Sequence, residues 1–172
     1  RKVESIDEDA AIQVRAEMGL IPDTTLILQV GSGFRVKGVD RALKAVAALP
    51  KSTLEKCHYL LIGQDNPNRY LRMARKLGIA KRFSVLPGRD DIPRYLAAAD
   101  LLLHPAYSES AGYVLIEATI AGLPVLTTAT CGYAFHIESA GSGLVCGNPF
   151  EQSRLNSNLA SMLANLDGAD WS

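Results

Sequence analysis

Glu109-Ser-Ala-Gly-Tyr-Val-Leu-Ile-Glu117 is the stretch from which the rest of the chain can be placed. Two carboxylates sit eight positions apart, with small residues after the first and an apolar run before the second. Upstream, Leu101-Leu-Leu-His-Pro105 reads as a buried strand. Downstream, Ala121-Gly-Leu-Pro-Val-Leu-Thr127 reads as a helix end, a tight turn and another strand. Glu109 is therefore expected in a loop at a strand's C-terminal end, and Glu117 inside the helix that follows. In open parallel sheets that crevice is where ligands bind. Ser110, Ala111 and Gly112 let a ligand approach the backbone, and the N–H groups of a helix start favour an anion.

The same alternation extends in both directions. Asp7 to Met18 reads as a helix, with Asp7 as its cap and Gly19 as its stop. Thr25–Val30 is a buried strand, Gly31-Ser-Gly33 a glycine loop, and Val39–Leu49 a helix stopped by Pro50, which together make half a βαβ unit. Strands at His58–Ile62 and Phe83–Leu86 follow, separated by a helix over Arg69–Leu77 with Gly78 at C′. Asp91 is expected to cap a helix over Ile92–Ala99 with Pro93 in its first turn. Leu101–His104 is the fourth strand, Val114–Ala121 a helix and Val125–Thr127 the fifth strand. A short helix around Tyr133–Ile137, a sixth strand at Gly143–Val145 and an amphipathic helix over Glu151–Leu166 complete the pattern. Apolar strands alternating with helices predict an α/β fold, a Rossmann-like doubly wound parallel sheet of about six strands.

Composition narrows the function classes. The 172 residues suit one domain, and a 48% hydrophobic content is too high for disorder. Lys plus Arg equals Asp plus Glu at 18 each, which argues against a general nucleic-acid binder. No apolar run approaches a membrane span, and no signal peptide opens the chain. Cys57, Cys131 and Cys146 form no CxxC pair or zinc pattern and read as reduced cytosolic thiols. The chain opens at Arg1 without a Met and reads as a single domain, a piece of a longer protein.

Several residues carry candidate chemistry. Gly31-Ser-Gly33 completes neither GxGxxG nor a P-loop, and alone it reads equally as a tight turn. Arg35 and Lys37, just before a helix, add cations that can converge with backbone amides on a diphosphate. Glu109 can accept from sugar hydroxyls, and Glu117 can take a ribose diol in both hydrogen bonds of one carboxylate. Arg89, on the same sheet edge, can stack on a base or pair with an anion, or be a solvated turn charge. His104, His58 and His136 read as structural. No serine sits in a GxSxG elbow.

The Glu-x7-Glu spacing followed by Ala118-Thr-Ile-Ala-Gly-Leu-Pro-Val125 resembles the C-terminal domain of the retaining family 4 glycosyltransferases of GT-B fold. Leu28-Gln-Val-Gly-Ser32, Lys37-Gly-Val-Asp-Arg41, Gly63-Gln-Asp65, His104-Pro-Ala-Tyr107 and Cys131-Gly-Tyr-Ala134 resemble that family's lipopolysaccharide-core glucosyltransferases. The resemblance implies transfer of glucose from UDP-glucose, a substrate rather than a cofactor, to the inner-core heptose of a Gram-negative bacterium. It implies that Glu109 contacts the sugar, that Ala111, Gly112, Tyr113 and Val114 line sugar and phosphates, and that Glu117 holds the ribose. Lys37, with Arg35 shifted by one position from the relatives' arginine, would neutralise the diphosphate. Arg89 would lie beside the uracil, Gly63 in the nucleotide wall, and Arg1 near the donor. The resemblance implies no DxD metal site, so no cation is expected. The acceptor site and any peripheral membrane contact would belong to an absent N-terminal domain of a cytoplasmic enzyme. Another UDP-sugar, or a nucleotide-binding module without transfer chemistry, is the alternative. The failed GxGxxG counts against an NAD-linked enzyme.

Overall fold

The computed structural model describes residues 2–166, with side chains from residue 8 onward. Arg1, expected near the donor, lies outside the described residues. Helix α1 (Lys2–Glu17) leads into strand β1 (Thr25–Val30), followed by α2 (Val39–Ala47) and a short α3 (Lys51–Leu54). Strand β2 (Cys57–Ile62), α4 (Asn68–Lys76), a 3-10 turn (Ala80–Arg82) and β3 (Phe83–Leu86) complete the first half. The second half runs α5 (Ile92–Ala98), β4 (Leu101–His104), α6 (Tyr113–Ile120), β5 (Val125–Thr128), α7 (Ala134–Ala140), β6 (Gly143–Cys146) and α8 (Gln152–Ala164).

All pairings are parallel, in the order β3-β2-β1-β4-β5-β6. This is the doubly wound order, and its direction reverses between β1 and β4. Alternate strand residues feed opposite faces. Ile27, Tyr59, Leu61, Leu101 and Leu103 pack under α2, α4 and α8, in a cluster with Leu43, Val46, Tyr70, Leu155 and Leu159. Leu26, Leu28, Leu60, Ile62 and Leu102 pack on the other face with Val14, Tyr95, Leu96, Leu115 and Ile137. Burial on both faces explains why the strands read as unbroken apolar runs.

Three local expectations change. The first helix begins at Lys2, so Asp7 lies inside it rather than capping it. Asp91 stands at the N-cap of α5, but its carboxylate makes no capping bond. It accepts instead from Arg89 Nε at 2.7 Å and Arg94 Nη1 at 3.0 Å, because two guanidiniums outcompete a neutral amide. The turn after Pro50 is helical over Lys51–Leu54, too short for any periodicity to announce.

Candidate functional site

The loop after β1 is folded back under its own strand. Gln29 is fully buried, and its Nε2 donates to the Lys37 carbonyl at 2.9 Å. The Tyr59 hydroxyl donates to Gln29 Oε1 and fixes that amide. The loop is also tied to the one after β4. Tyr107 N donates to the Val36 carbonyl at 2.8 Å, and the Tyr107 hydroxyl donates to Asp40 Oδ2 at 2.7 Å. Arg41 lies between the rings of Tyr107 and Phe150, 3.5 and 3.6 Å from their centroids. Its Nη1 reaches the carbonyls of Pro105 and Ala106 at 3.4 and 3.3 Å.

The carboxylate loop is clamped from its other side. Hydroxyls of Thr127, Thr128 and Thr130 donate to the carbonyls of His104 and Ala106 at 2.7 to 2.9 Å. Gly132 N donates to the Glu109 carbonyl at 2.9 Å, and Tyr133 N to that of Ala111 at 2.9 Å. Gly132 admits no side chain, since a Cβ there would lie 2.0 Å from the Ser110 carbonyl oxygen. Helix α6 then starts at Tyr113 with Gly112 as N-cap and no side chain bonded to its first amides. Such a helix start attracts anions.

These two loops bring Lys37 and Glu109 into an ion pair, Nζ donating to Oε2. His104 Nε2 lies 3.3 Å from the same oxygen. The hydrogen bond to His104, with the bond and charge of Lys37, outweighs burial and holds the Glu109 carboxyl down at about 2. Burial pulls the His104 imidazole down, but Cys131 and Glu109 outweigh it and raise its pKa above 6.5. A depressed carboxylate stabilises the fold above its unfolded pKa and loses that contribution as pH falls through its folded pKa. Urea unfolding of wild type and Glu109→Gln should therefore differ above about pH 4.5 and converge toward about pH 2. A gap that stays constant down to about pH 2 would remove the ion pair as its source.

The other sequence-predicted residues fall into three groups. Ser110, Ala111, Gly112, Tyr113 and Val114 form the turn into α6, beside Glu109. Glu117 is exposed one turn further on, at the edge of a groove lined by Tyr113, Ile116, Tyr133 and His136. Arg35 is exposed on the β1 loop, and Arg89 is exposed at the end of β3. Arg89 is committed locally: its Nη2 gives a second bond to Asp91, at 3.1 Å, and its guanidinium lies 5.0 Å from the Tyr95 ring centre.

The glycine loop is corrected. Its amides do not stand open to a diphosphate. Gly31 N donates to the Ile62 carbonyl at 2.9 Å, and Gly33 N and Phe34 N donate to Asp65 at 3.0 and 2.8 Å. Ser32 Oγ accepts from Gln64 N at 3.1 Å. Asp65 thus takes the position an anion would take, leaving the loop's cations as its offer to a ligand. Gly63 packs directly on this loop: a Cβ there would lie 2.5 Å from both Gly31 O and Phe34 Cε1, so the position admits no side chain. Sequence reasoning missed Asp65 and His104. The signal for Asp65 was its place at the end of β2, next to β1 in a parallel sheet.

A doubly wound sheet with cations and a paired carboxylate at its switch point is a Rossmann-like lobe, and such lobes bind ligands in that crevice. The chain belongs to the glycosyl transferases group 1 family, whose sequence profile it matches over residues 12–168. It is 49% identical over 142 residues to the lipopolysaccharide glucosyltransferase WaaG of Escherichia coli strain K12, covering 83% of this chain and 38% of that protein. A crystal structure of WaaG, described as a glycosyltransferase involved in lipopolysaccharide biosynthesis, superposes with a TM-score of 0.87 at 42% identity, over 94% of this chain and 48% of that one. Anabaena Alr3699/HepE, solved in complex with UDP and glucose, shares the fold with a TM-score of 0.76 at 21% identity, over 93% of this chain and 43% of that one. The chain thus spans less than half the length of these proteins.

Proposed function

We propose that this chain is the donor-binding half of a retaining GT-B glycosyltransferase that moves glucose from UDP-glucose to the inner-core heptose of lipopolysaccharide. The observation that carries the reading is the Lys37–Glu109 pair at the β1/β4 switch point, directly before the α6 N-terminus. The 49% identity to WaaG supports the choice of donor and acceptor.

In this reading Glu109 accepts from hydroxyls of the donor sugar. The turn from Ser110 to Val114 lines the sugar and phosphates, and Glu117 takes the ribose diol. The uracil lies toward Arg89. The bond between the anomeric carbon and the diphosphate oxygen breaks. The acceptor hydroxyl forms its bond to that carbon on the same face, and its proton goes to the departing phosphate oxygen. The protein's work is stabilising the charge that develops on the diphosphate. Lys37, Arg35 and the helix start do this, so no metal cofactor is assigned. The acceptor is held by the N-terminal lobe of the GT-B pair, and that lobe carries any peripheral contact with the inner face of the inner membrane. The enzyme is cytoplasmic. Among the described residues no helix is long and apolar enough to cross a membrane.

The test is a thermal-shift series on the full-length protein with UDP, UDP-glucose, UDP-galactose, ADP, GDP and NAD. A ligand at about a hundred times its Kd should stabilise by about 2.7 kcal/mol. Uridine nucleotides should raise Tm, with UDP-glucose above UDP-galactose. A rise with NAD or ADP instead would remove the glycosyltransferase donor assignment. A rise with UDP-galactose above UDP-glucose would change the sugar.

A further inference from the structure

His104 has no role in the reading above, yet its ring meets the residue that reading depends on. It closes β4 at the switch point and is 1% exposed. A histidine that only fills a core would satisfy its nitrogens within its own packing. Here Nε2 faces Glu109 Oε2 at 3.3 Å, and the ring's other polar neighbour is the buried Cys131 thiol. Lys37 donates to that same oxygen, and among the described residues no donor meets Oε1. The carboxylate is thus held at one oxygen by two donors and presents the other. The back of the ring belongs to the same assembly. Cys131 pairs with Glu109 in an isolated parallel bridge, and its Sγ lies 3.3 Å from Thr127 Oγ1.

We propose that His104 is a positioning residue: it anchors Glu109 Oε2 so that Oε1 meets the donor sugar's hydroxyl. This rests on the reading of Glu109 as the sugar contact. It assigns His104 no contact with the substrate. Two donors on one oxygen leave the carboxylate a single orientation, whereas Lys37 alone leaves it free to rotate once the ammonium turns to a diphosphate. His104 is the donor that stays when the ligand arrives.

The experiment compares affinities of the full-length protein for UDP and UDP-glucose by calorimetry. The variants are His104→Leu, His104→Gln, His104→Asn, Glu109→Ala and the double variant His104→Leu/Glu109→Ala. His104→Leu should leave UDP affinity unchanged and weaken UDP-glucose about tenfold, the effect of losing a hydrogen bond to a charged group. Its effect should vanish in the Glu109→Ala background, because the two residues act as one unit. Glutamine, whose amide reaches the Nε2 position, should retain most of the preference, and the shorter asparagine should lose it. That pair carries the test where His104→Leu does not fold. Equal losses for UDP and UDP-glucose, or additive effects with Glu109→Ala, would overturn the proposal and leave a packing role. If Glu109→Ala itself spares the preference for UDP-glucose, the donor reading of Glu109 fails instead, which separates the two failures.

Discussion

Replacing Lys37 with methionine should lower kcat of the full-length protein by about 10²–10³-fold, the usual cost of removing one pre-positioned group that stabilises developing charge. Methionine keeps most of the side chain's length and packing while removing its charge. The ammonium rests on Glu109, half-buried between the β1 and β4 loops. It is an internal counter-ion held in place by the fold. On the proposed reaction the diphosphate gains charge as the anomeric bond breaks, so an ammonium beside it acts more strongly on the transition state than on bound donor. The loss should therefore fall on kcat more than on KM. Arginine at this position keeps the charge but brings a larger planar head into a space shaped for an ammonium. Lys37→Arg should recover only part of the rate. Steady-state kinetics with UDP-glucose and a lipopolysaccharide-core acceptor measure both. A Lys37→Met enzyme with unchanged kcat would shift leaving-group stabilisation to Arg35 and the α6 N-terminus.

The same residue shows what a chain can and cannot reveal before it is folded. Thr25–Val30 and Leu101–His104 are legible as neighbours of ligand loops because strands buried on both faces are continuous apolar runs bounded by turn residues. Once the strand order is set, the ends of β1 and β4 are brought together, so Lys37 and Glu109 could be expected in one crevice. What spacing does not encode is which group on a third loop faces them. Asp65 follows β2, and only the parallel β1/β2 register, Val30 opposite Ile62, brings it under the glycine loop. A glycine loop in sequence looks the same whether its amides await a phosphate or already bind a carboxylate. His104 is illegible for a related reason. Its ring direction depends on the clamp that Thr127, Thr130 and Gly132 put on the loop to Glu109, and those residues lie more than twenty positions away. Arg89 is legible as a cation on the right edge, but in sequence Asp91 looks like a helix cap rather than its partner.

The two loops meet at one point where a single methyl group should be decisive. Gly38 has φ 74 and ψ 34, the left-handed conformation. A Cβ built there would lie 2.0 Å from the Pro105 carbonyl oxygen and 2.8 Å from its carbon. Gly38→Ala therefore carries two costs. The left-handed backbone costs an L-residue about 1–2 kcal/mol. The contact cannot be relieved by a side-chain rotation, because both partners are main chain and the Pro105 carbonyl is also held by Arg41. One loop must move, and overpacking of this kind costs about 1–3 kcal/mol more. Gly122 supplies the control: it too has φ 74, but its Cβ direction is open, with nothing within 4 Å. Gly122→Ala should show the backbone cost alone. At about 2–4 °C per kcal/mol for a protein of this size, the overpacking cost alone should separate the two variants in Tm by about 2–12 °C. The displacement should also reach the site. Lys37 precedes Gly38, so moving this crossing pulls the ammonium from Glu109 and weakens UDP binding, which Gly122→Ala should leave intact. Equal Tm losses in the two variants would mean that the β1 and β4 loops do not touch at Gly38 and Pro105, and the ion pair between Lys37 and Glu109 would lose the contact that sets its geometry.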